Sequence, residues 1–449
     1  MRFGHVAPPS RGATSRATTR RPSDRGSAGR PLRGVSRRAV FAGAAAALVS
    51  APAIAQAAPR VVVIGGGFAG ATAARRLQRA GVAATLVEPA ANYLACPFSN
   101  LVVAGLRELD AQRFGYDALR ASGVTLVPHA ATRIDAAARR ATLSDGGTLD
   151  YDRLVMAPGI ELRLDALPGY DEAATEIMPH AWKAGPQTLL LRRQLEALPE
   201  GGVVAMAVPA NPYRCPPGPY ERASLIAHFL KARKPRAKLL VLDAKDGFSK
   251  QRLFEQAWKS LYPGIVEWVS LSNGGRVIEV HAATRTLVAE FDRHRVDVAN
   301  VIPPQRAAAI ARDTGLADRS GWCPVDPVSF ESRLQPNIHV IGDAAIMGGM
   351  PKSAFAANAQ AKVCAAAVVE LLAGRAPVAP KLINTCYSLV APDYGISVAG
   401  VYRPAANGLL ADIEGAGGTS PLDAPPADRK SEAEHAESWF RTITADVFG

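Results

Sequence analysis

The most distinct pattern in the chain is a short apolar run followed directly by glycines. Residues 60–64 read RVVVI, a composition typical of a buried β-strand, and the glycine-rich segment 65–70 follows without a break. Residues 71–80 have helix-forming composition, and a second apolar strand at 84–87 ends at Glu88. The pattern predicts a βαβ unit with a glycine-rich turn between its first strand and its helix.

Three glycines in this turn have the spacing of a dinucleotide-binding fingerprint. Gly65 permits the tight turn, Gly67 lets the backbone approach a pyrophosphate, and Gly70 lets the helix pack closely against the strand. The N-terminus of the helix offers N–H groups to the anion. Glu88, 23 residues beyond Gly65, is placed to accept hydrogen bonds from an adenosine ribose and would repel a 2′-phosphate.

A second apolar run at 201–208 predicts another βαβ unit, but the segment after it lacks a glycine-rich turn. Residues 209–221 read PANPYRCPPGPYE, and their prolines fix backbone dihedrals and remove N–H donors. Such a loop does not cradle a pyrophosphate in the usual way. We therefore expect the electrons to come from a donor other than NAD(P)H.

Two later segments resemble the two-dinucleotide-binding flavoproteins of glutathione-reductase-like fold. Residues 151–159 (YDRLVMAPG) resemble the strand and turn that return to the FAD domain, and residues 337–345 (NIHVIGDAA) resemble the second FAD fingerprint. The resemblance implies FAD as the cofactor, with Asp343 on the ribityl chain beside Gly342. It implies an α/β fold of two Rossmann-like domains, followed by a C-terminal α+β interface domain.

The chain divides accordingly after its first 57 residues. We expect an FAD-binding domain in two parts, at 58–168 and 305–376, and a second Rossmann-like domain without the NAD(P)H glycine loop at 169–304. The C-terminal domain occupies 377–449, and its Pro/Gly-rich middle is expected to loop out at about 415–427.

Charge is concentrated at the start of the chain. The formal net charge is +12, but residues 1–57 hold ten arginines and one aspartate, a net +9, so the rest of the chain is nearly neutral and does not suggest nucleic-acid binding. The pair Arg37-Arg38 precedes an uncharged, Ala-rich run and the small residues 55–57, the order expected of a twin-arginine signal peptide. A disordered basic arm is the alternative. The signal predicts export to the periplasm, and we expect no later segment long and apolar enough to span a membrane.

The five cysteines, at positions 96, 215, 323, 364 and 386, show neither metal-ligand spacing nor a c-type haem attachment motif. We therefore predict no metal site and no haem on this chain. In an exported protein, thiols that are neither paired nor modified are prone to oxidation.

Several blocks around these cysteines resemble the flavoprotein subunit of flavocytochrome c sulfide dehydrogenase. The blocks cover essentially the whole chain after residue 57, and the most specific is 214–224 (RCPPGPYERAS). The others are 93–100 (YLACPFSN), 179–185 (PHAWKAG), 303–307 (PPQRA), 321–326 (GWCPVD) and 384–388 (NTCYS).

The resemblance implies roles for three of the cysteines. Cys96 matches the residue that forms a thioether with the flavin 8α-methyl group; a buried small apolar residue is the alternative. Cys215 and Cys386 match the pair that forms a redox-active disulfide over the isoalloxazine ring, where hydrosulfide attacks a sulfur; a structural inter-domain disulfide is the alternative. Cys323 and Cys364 are interpreted as structural and core residues.

Four further residues are assigned on the same resemblance. Glu221 matches a carboxylate near the disulfide that acts as a general base, or else it is a helix N-terminal acid favoured by the dipole. Pro351 and Lys352 belong to a segment that opens a helix pointing at the flavin pyrimidine. Trp439 matches an aromatic residue of the sulfide pocket, or is an ordinary core tryptophan.

These resemblances imply a periplasmic sulfide dehydrogenase that passes electrons from FAD to a c-type cytochrome subunit. Two alternatives are a sulfide:quinone oxidoreductase, for which a membrane-binding C-terminal helix is expected and not evident, and a flavoprotein that binds and reactivates a sulfur-oxidising complex.

Overall fold

Short strands and helices alternate along residues 58–449, the part of the chain that the computed structural model describes. The predicted signal peptide at 1–57 lies outside these residues. The α-helices are α1 (Phe68–Arg79), α2 (Ser99–Val103), α3 (Asp117–Ala121), α4 (Glu172–Thr175), α5 (Pro186–Glu196), α6 (Gly218–Arg233), α7 (Gln251–Leu261), α8 (Ala309–Asp313), α9 (Ala354–Leu372) and α10 (Pro426–Phe448). The strands are β1 (Val61–Ile64), β2 (Ala84–Val87), β3 (Tyr93–Leu94), β4 (Arg113–Phe114), β5 (Thr125–Val127), β6 (Ala131–Asp135), β7 (Arg140–Leu143), β8 (Thr148–Asp150), β9 (Arg153–Met156), β10 (Ile160–Leu162), β11 (Val203–Val208), β12 (Lys238–Asp243), β13 (Val266–Val269), β14 (Val277–His281), β15 (Thr286–Ala289), β16 (Arg293–Arg295), β17 (Val298–Val301), β18 (Gln305–Ala307), β19 (Cys323–Pro324), β20 (Ile338–Val340), β21 (Ala345–Ile346), β22 (Leu382–Ala391), β23 (Tyr394–Pro404), β24 (Leu410–Asp412) and β25 (Gly418–Thr419).

The first apolar run forms the middle strand of a five-stranded parallel sheet with the order β20-β9-β1-β2-β5. All four residues of β1 are buried, as expected for a parallel strand covered on both faces. Both predicted strands of the first βαβ unit are confirmed. Helix α1 begins at Phe68, earlier than its composition indicated, because the last residues of the glycine-rich segment already form its first turn.

A second parallel sheet has the order β13-β12-β11-β17, and α6 and α7 follow β11 and β12 along the chain. It is the second Rossmann-like unit predicted from the apolar run at 201–208. The proline-rich segment lies between β11 and α6, where a nucleotide-binding unit has its glycine-rich turn. The α/β class with two such sheets is therefore confirmed.

The C-terminal part is α+β, as predicted. The long strands β22 and β23 form an antiparallel hairpin, β24 and β25 pair with β23, and α10 follows. The expected loop at 415–427 is wrong in detail, because β25 pairs within it and α10 already begins at Pro426.

Helix α9 corrects the expectation about membrane spans. By length and composition it is long and apolar enough to cross a membrane, and it is the one such helix among the described residues. Half of its most apolar stretch is buried inside the protein. Asn358 of α9 donates a hydrogen bond to Thr72 of α1 at 2.9 Å, so α9 packs here as a core helix.

Candidate active site

A cavity of about 490 Å³ lies where the carboxyl ends of the two parallel sheets face the C-terminal hairpin. Most of the predicted site residues line it, although they come from widely separated parts of the chain. These residues are Gly65, Gly67, Glu88, Cys96, Cys215, Glu221, Gly342, Asp343 and Cys386. Three predicted residues do not line it: Gly70, Pro351 and Lys352.

One end of the cavity has the features of a nucleotide site. Gly65 has φ +97°, and a Cβ on Gly70 would lie 1.8 Å from the Gly65 carbonyl oxygen, so both positions require glycine. Gly70 therefore lets α1 pack closely on the turn after β1, behind the cavity surface. Glu88 accepts hydrogen bonds from the backbone N–H of Gly66 at 2.7 Å and of Ala90 at 2.9 Å.

Asp343 lies in the 3₁₀ turn Gly342–Ala344, directly after β20. Its Oδ1 is buried without a hydrogen-bond partner among the described residues, and burial raises the pKa of this carboxyl while Arg214 and Lys352 act against the rise. A buried, unpaired carboxylate oxygen beside a glycine cradle fits a ligand with hydroxyl donors, such as the ribityl chain of FAD. These residues thus fit the implied cofactor.

The segment before α9 supports this wall from behind. Lys352 Nζ donates to the carbonyl oxygens of Asp343 at 2.9 Å and Ala345 at 2.7 Å, so its role is to hold the second fingerprint rather than to touch a ligand. Ser353 caps α9, its Oγ accepting from the Ala356 N–H at 3.0 Å. The helix N-terminus lines the cavity through Ser353 and Ala354, whereas Pro351 does not.

Cys96 lies in the turn before α2 and faces the cavity. Its Sγ is 4.0 Å from the Trp182 carbonyl oxygen, and Gln112 holds the turn by donating to the carbonyl oxygens of Ala95 and Pro97. The side chain is half-buried against the cavity rather than enclosed in the core. The alternative of a buried small apolar residue is therefore not favoured at this position.

Cys215 and Cys386 face the same cavity but are not bonded to each other in this structure. The predicted disulfide is thus absent here, and both residues are free thiols. Cys215 has φ +59° and donates its N–H to the Lys352 carbonyl oxygen at 2.8 Å. A Cβ on Gly218 would lie 2.9 Å from Cys215 Sγ, so the glycine lets this sulfur rest against the start of α6.

Glu221 is in the first turn of α6 and also lines the cavity, so both proposed roles remain compatible with its position. Its carboxylate accepts from Asn100 Nδ2 at 2.7 Å and from the Leu389 N–H at 2.9 Å. Burial raises the pKa of Glu221, and these two hydrogen bonds and the nearby Lys250 oppose the rise. A carboxylate with a raised pKa beside two sulfurs can accept a proton from a neutral sulfide molecule.

Aromatic side chains close the cavity near Cys386. Trp439 of α10 lines it and stacks with Phe355, the two ring centroids being 6.3 Å apart. Tyr387, next to Cys386, also packs against Trp439, with a centroid separation of 6.0 Å. Trp439 is therefore a cavity residue rather than an ordinary core tryptophan.

The second Rossmann-like unit has its own acidic residue at the end of β12, the position that Glu88 has after β2. This residue, Asp243, is fully buried and accepts from Tyr220 Oη at 2.6 Å and from Trp268 Nε1 at 3.0 Å. Lys245 pairs with its other oxygen at 2.5 Å. Both carboxylate oxygens of Asp243 are thus engaged by side chains of the protein. Asp243 therefore anchors the loop that carries Cys215 instead of facing a ribose.

Three polar residues near the thiols were not predicted from the sequence. Asn384 donates to Cys386 Sγ at 3.3 Å, and Lys250 Nζ donates to the Cys386 carbonyl oxygen at 2.9 Å. Asn100, besides holding Glu221, accepts from Arg222 Nε at 2.9 Å. Asn384 and Asn100 stand within the quoted blocks, whereas Lys250 belongs to no pattern and comes to the site only through the tertiary fold.

Among residues 58–449, no group of three or more His, Cys, Asp or Glu side chains is arranged to hold a metal ion.

Three family models match three separate parts of the chain. Residues 59–186 match pyridine nucleotide-disulphide oxidoreductase, residues 188–303 match the central region of the sulfide dehydrogenase [flavocytochrome c] flavoprotein chain, and residues 378–448 match the flavin-binding region of flavocytochrome c sulphide dehydrogenase.

The chain is also similar to several sequence relatives and solved structures. The sulfide dehydrogenase [flavocytochrome c] flavoprotein chain of Chlorobaculum thiosulfatiphilum is 51% identical over 45 residues, which are 10% of this chain and 94% of that sequence. The mitochondrial sulfide:quinone oxidoreductase of Mus musculus is 24% identical over 323 residues, 67% of this chain and 68% of its own length. The structure of the sulfide:quinone oxidoreductase from Aquifex aeolicus superposes with a TM-score of 0.69 at 16% identity, covering 87% of this chain and 92% of that one. Putidaredoxin reductase in its covalent complex with putidaredoxin gives a TM-score of 0.60 at 19% identity, over 85% and 94%.

Proposed function

The chain belongs to the family of the flavoprotein chain of flavocytochrome c sulfide dehydrogenase, and from this premise we propose that it oxidises sulfide at a Cys215–Cys386 disulfide beside FAD and delivers the electrons to a c-type cytochrome. The assignment as an FAD-dependent oxidoreductase that acts on sulfide agrees with the matched family models and with the relatives. One observation carries the proposal: two cysteines from distant parts of the chain and one buried carboxylate meet in the cavity that fits FAD.

The chemistry of the pair follows from thiol–disulfide exchange. Hydrosulfide attacks one sulfur, a bond forms between that sulfur and the substrate sulfur, and the bond between the two cysteines breaks. The electron pair of the broken bond leaves with the other cysteine as a thiolate. The proposal requires Cys215 and Cys386 to be bonded to each other in the oxidised protein and to be separate thiols after reduction.

FAD, when bound, supplies a two-electron acceptor that can release electrons one at a time to a haem. The residues of this chain that would hold it are the glycines of the first turn, Glu88 and Asp343. The N-terminus of α9 directs partial positive charge into the same cavity, which favours an anionic group there.

Changing Glu221 to glutamine is expected to lower kcat/KM for sulfide by about a hundredfold. The carboxylate must be ionised to accept a proton, and burial raises its pKa, so the wild-type rate should rise with pH through that raised value. The variant should lack this acidic limb in a pH–rate profile. Glu434→Gln, at an exposed site on α10, is the matched control. An unchanged acidic limb in Glu221→Gln would leave Glu221 only the role of a helix N-terminal acid.

Cys96 is expected to hold the flavin covalently. Acid precipitation of the wild-type protein should therefore leave the flavin with the protein pellet, whereas Cys96→Ala should release it to the supernatant. The mass of the peptide that contains Cys96 measures the same bond directly. Free flavin in the wild-type supernatant would contradict the thioether.

We further propose export to the periplasm through the twin-arginine signal. Replacement of Arg37 and Arg38 with lysines should retain the unprocessed precursor in the cytoplasm, as measured by cell fractionation and immunoblotting. N-terminal sequencing of the exported wild-type protein should place cleavage near Ala58. Normal export of the double-lysine variant would contradict this route.

A quinone acceptor is the second candidate, favoured by the similarity to sulfide:quinone oxidoreductases. Against it, the aromatic residues Phe440 and Phe448 of α10 are buried and pack on Phe98 and Tyr93, respectively. These two side chains are therefore not available to contact a membrane surface.

The deciding experiment is anaerobic reduction of the purified protein by one equivalent of sulfide, followed by addition of an acceptor. We expect rapid bleaching of the flavin, then reoxidation by cytochrome c and not by a water-soluble quinone. Reoxidation by the quinone alone would replace the proposal with the second candidate. Absence of bleaching would favour a protein that binds a sulfur-oxidising complex without oxidising sulfide itself.

A further inference from the structure

The residues around Cys386 differ from those around Cys215, and this difference bears on which of the two sulfurs hydrosulfide attacks. We infer that Asn384 and Lys250 fix the direction in which the disulfide opens, so that Cys386 leaves as the thiolate and Cys215 receives the sulfur of the substrate. This inference rests on the proposed function, since it assigns roles within the same exchange reaction.

Asn384 presents a hydrogen-bond donor to the sulfur of Cys386. Its Nδ2 lies 3.3 Å from Cys386 Sγ, and its Oδ1 accepts from Ser353 Oγ at 2.6 Å. Ser353 Oγ donates its single proton to this oxygen and accepts the N–H of Ala356. This contact fixes which end of the buried amide faces the sulfur. A donor held in place in this way stabilises the charged thiolate more than the neutral thiol.

Lys250, directly before α7, places a buried positive charge beside β22, the strand that carries Cys386. Its Nζ donates to the Cys386 carbonyl oxygen at 2.9 Å and to Ser388 Oγ at 2.8 Å. Burial lowers the pKa of Lys250 to about 8, while Cys386, Glu221 and Cys215 act in the opposite direction, Cys386 the most strongly of the three. A negative charge on Cys386 therefore stabilises the protonated form of Lys250. The phenol of Tyr402, another neighbour, is kept neutral because burial raises its pKa to about 12.

Cys215 has the opposite environment. Burial and the nearby carboxylate of Glu221 raise the pKa of its thiol, and Arg214 and Lys250 only partly oppose this effect. The N-terminus of α6 would favour a thiolate at Cys215, but Glu221 lies in the first turn of that helix and opposes the dipole. In thiol–disulfide exchange the sulfur that is better stabilised as a thiolate is the better leaving group, and here that sulfur belongs to Cys386.

The step balances without a further reactant. Hydrosulfide forms a new S–S bond with Cys215, the bond between Cys215 and Cys386 breaks, and its electron pair remains on Cys386. Cys215 then carries a persulfide, and the negative charge of the hydrosulfide has moved to the Cys386 sulfur, which accepts from Asn384 and belongs to the residue whose carbonyl oxygen binds the Lys250 ammonium.

The location of the persulfide tests the inference in the wild-type holoenzyme. The oxidised protein receives one equivalent of sulfide under anaerobic conditions, is quenched with iodoacetamide, and is digested for peptide mass measurement. We expect the additional sulfur on the peptide of Cys215 and simple alkylation on that of Cys386. An additional sulfur on Cys386 overturns this inference alone and leaves the proposed function intact. No additional sulfur on either cysteine, together with an unbleached flavin, overturns the proposed function as well.

A second measurement tests the two residues themselves. In the fully reduced holoenzyme at pH 7, iodoacetamide should modify Cys386 about tenfold faster than Cys215. Asn384→Asp keeps the shape and the Ser353 contact but replaces the donor with an acceptor, and Lys250→Met removes the charge; each should slow alkylation of Cys386 about tenfold and move its pH profile to higher pH. Lys250→Arg should restore most of the rate.

Asn407→Asp is the matched control, because it makes the same charge change at an exposed turn that does not line the cavity. Equal alkylation of Cys386 in Asn384→Asp and Asn407→Asp would overturn the role of Asn384. Flavin content and thermal unfolding check that each variant is folded. If Asn384→Asp does not fold, the location of the persulfide in the wild-type protein decides the inference by itself.

Discussion

Replacement of either Cys215 or Cys386 with serine is expected to lower the rate at which sulfide bleaches the flavin by about a thousandfold or more. A serine hydroxyl cannot form the S–S bond, so neither variant offers an electrophilic sulfur to hydrosulfide. Anaerobic stopped-flow absorbance measures the rate directly. The size of the effect is large because each variant removes the reacting bond rather than a group that assists it.

Cys364→Ala is the control for these two variants. Cys364 is buried in α9 and does not line the cavity, so its replacement should leave the bleaching rate unchanged. If Cys386→Ser were reduced by sulfide at the wild-type rate, direct reaction of sulfide with the flavin would replace the disulfide mechanism, and the two cysteines would have only a structural role.

The second large effect is expected for Gly70→Ala. Its new Cβ would lie 1.8 Å from the carbonyl oxygen of Gly65, a backbone atom that no side-chain rotation can move away. Helix α1 must therefore shift relative to the glycine-rich turn that forms one end of the cavity. We expect loss of most of the bound flavin and a decrease of about 3 kcal/mol in the free energy of unfolding.

The flavin-to-protein ratio and a denaturant titration measure these two consequences. Gly418→Ala is the control, because a Cβ at Gly418 meets no atom within 4 Å. A wild-type flavin content in Gly70→Ala would show that the flavin does not depend on the close contact between α1 and the first turn.

The first βαβ unit illustrates why part of the fold was predictable. Its two strands are buried on nearly all positions, so the sequence there is almost entirely apolar, and the glycine at position 65 has a backbone conformation that other residues adopt at a cost. Such requirements are local and leave a direct pattern in the chain. Helix α9 is the counterexample: its apolar composition has the length of a membrane span, and only its contacts identify it as part of the core.

Lys352 shows a similar limit within the site. The helix opening at Ser353 was predicted correctly, yet Lys352 points behind the cavity wall to the carbonyl oxygens of Asp343 and Ala345. The sequence predicted that Lys352 stands just before this helix. It could not predict the direction of the side chain, which depends on where β20 and the following turn lie.

The amino-acid sequence alone determined the two Rossmann-like units, the absence of a pyrophosphate-binding glycine turn in the second, and the set of cysteines available for chemistry, because each follows from local backbone and composition requirements. Only the tertiary structure decided that Cys215, Cys386 and Glu221 line one cavity, that Asp243 is used internally, and that Asn384 donates to the Cys386 sulfur while Lys250 binds the Cys386 carbonyl oxygen. The contact of Lys250 with Cys386 spans 136 residues, and the shorter-range contacts of Asp243 and Asn384 depend on how their side chains pack, so none of them imposes a spacing on the chain.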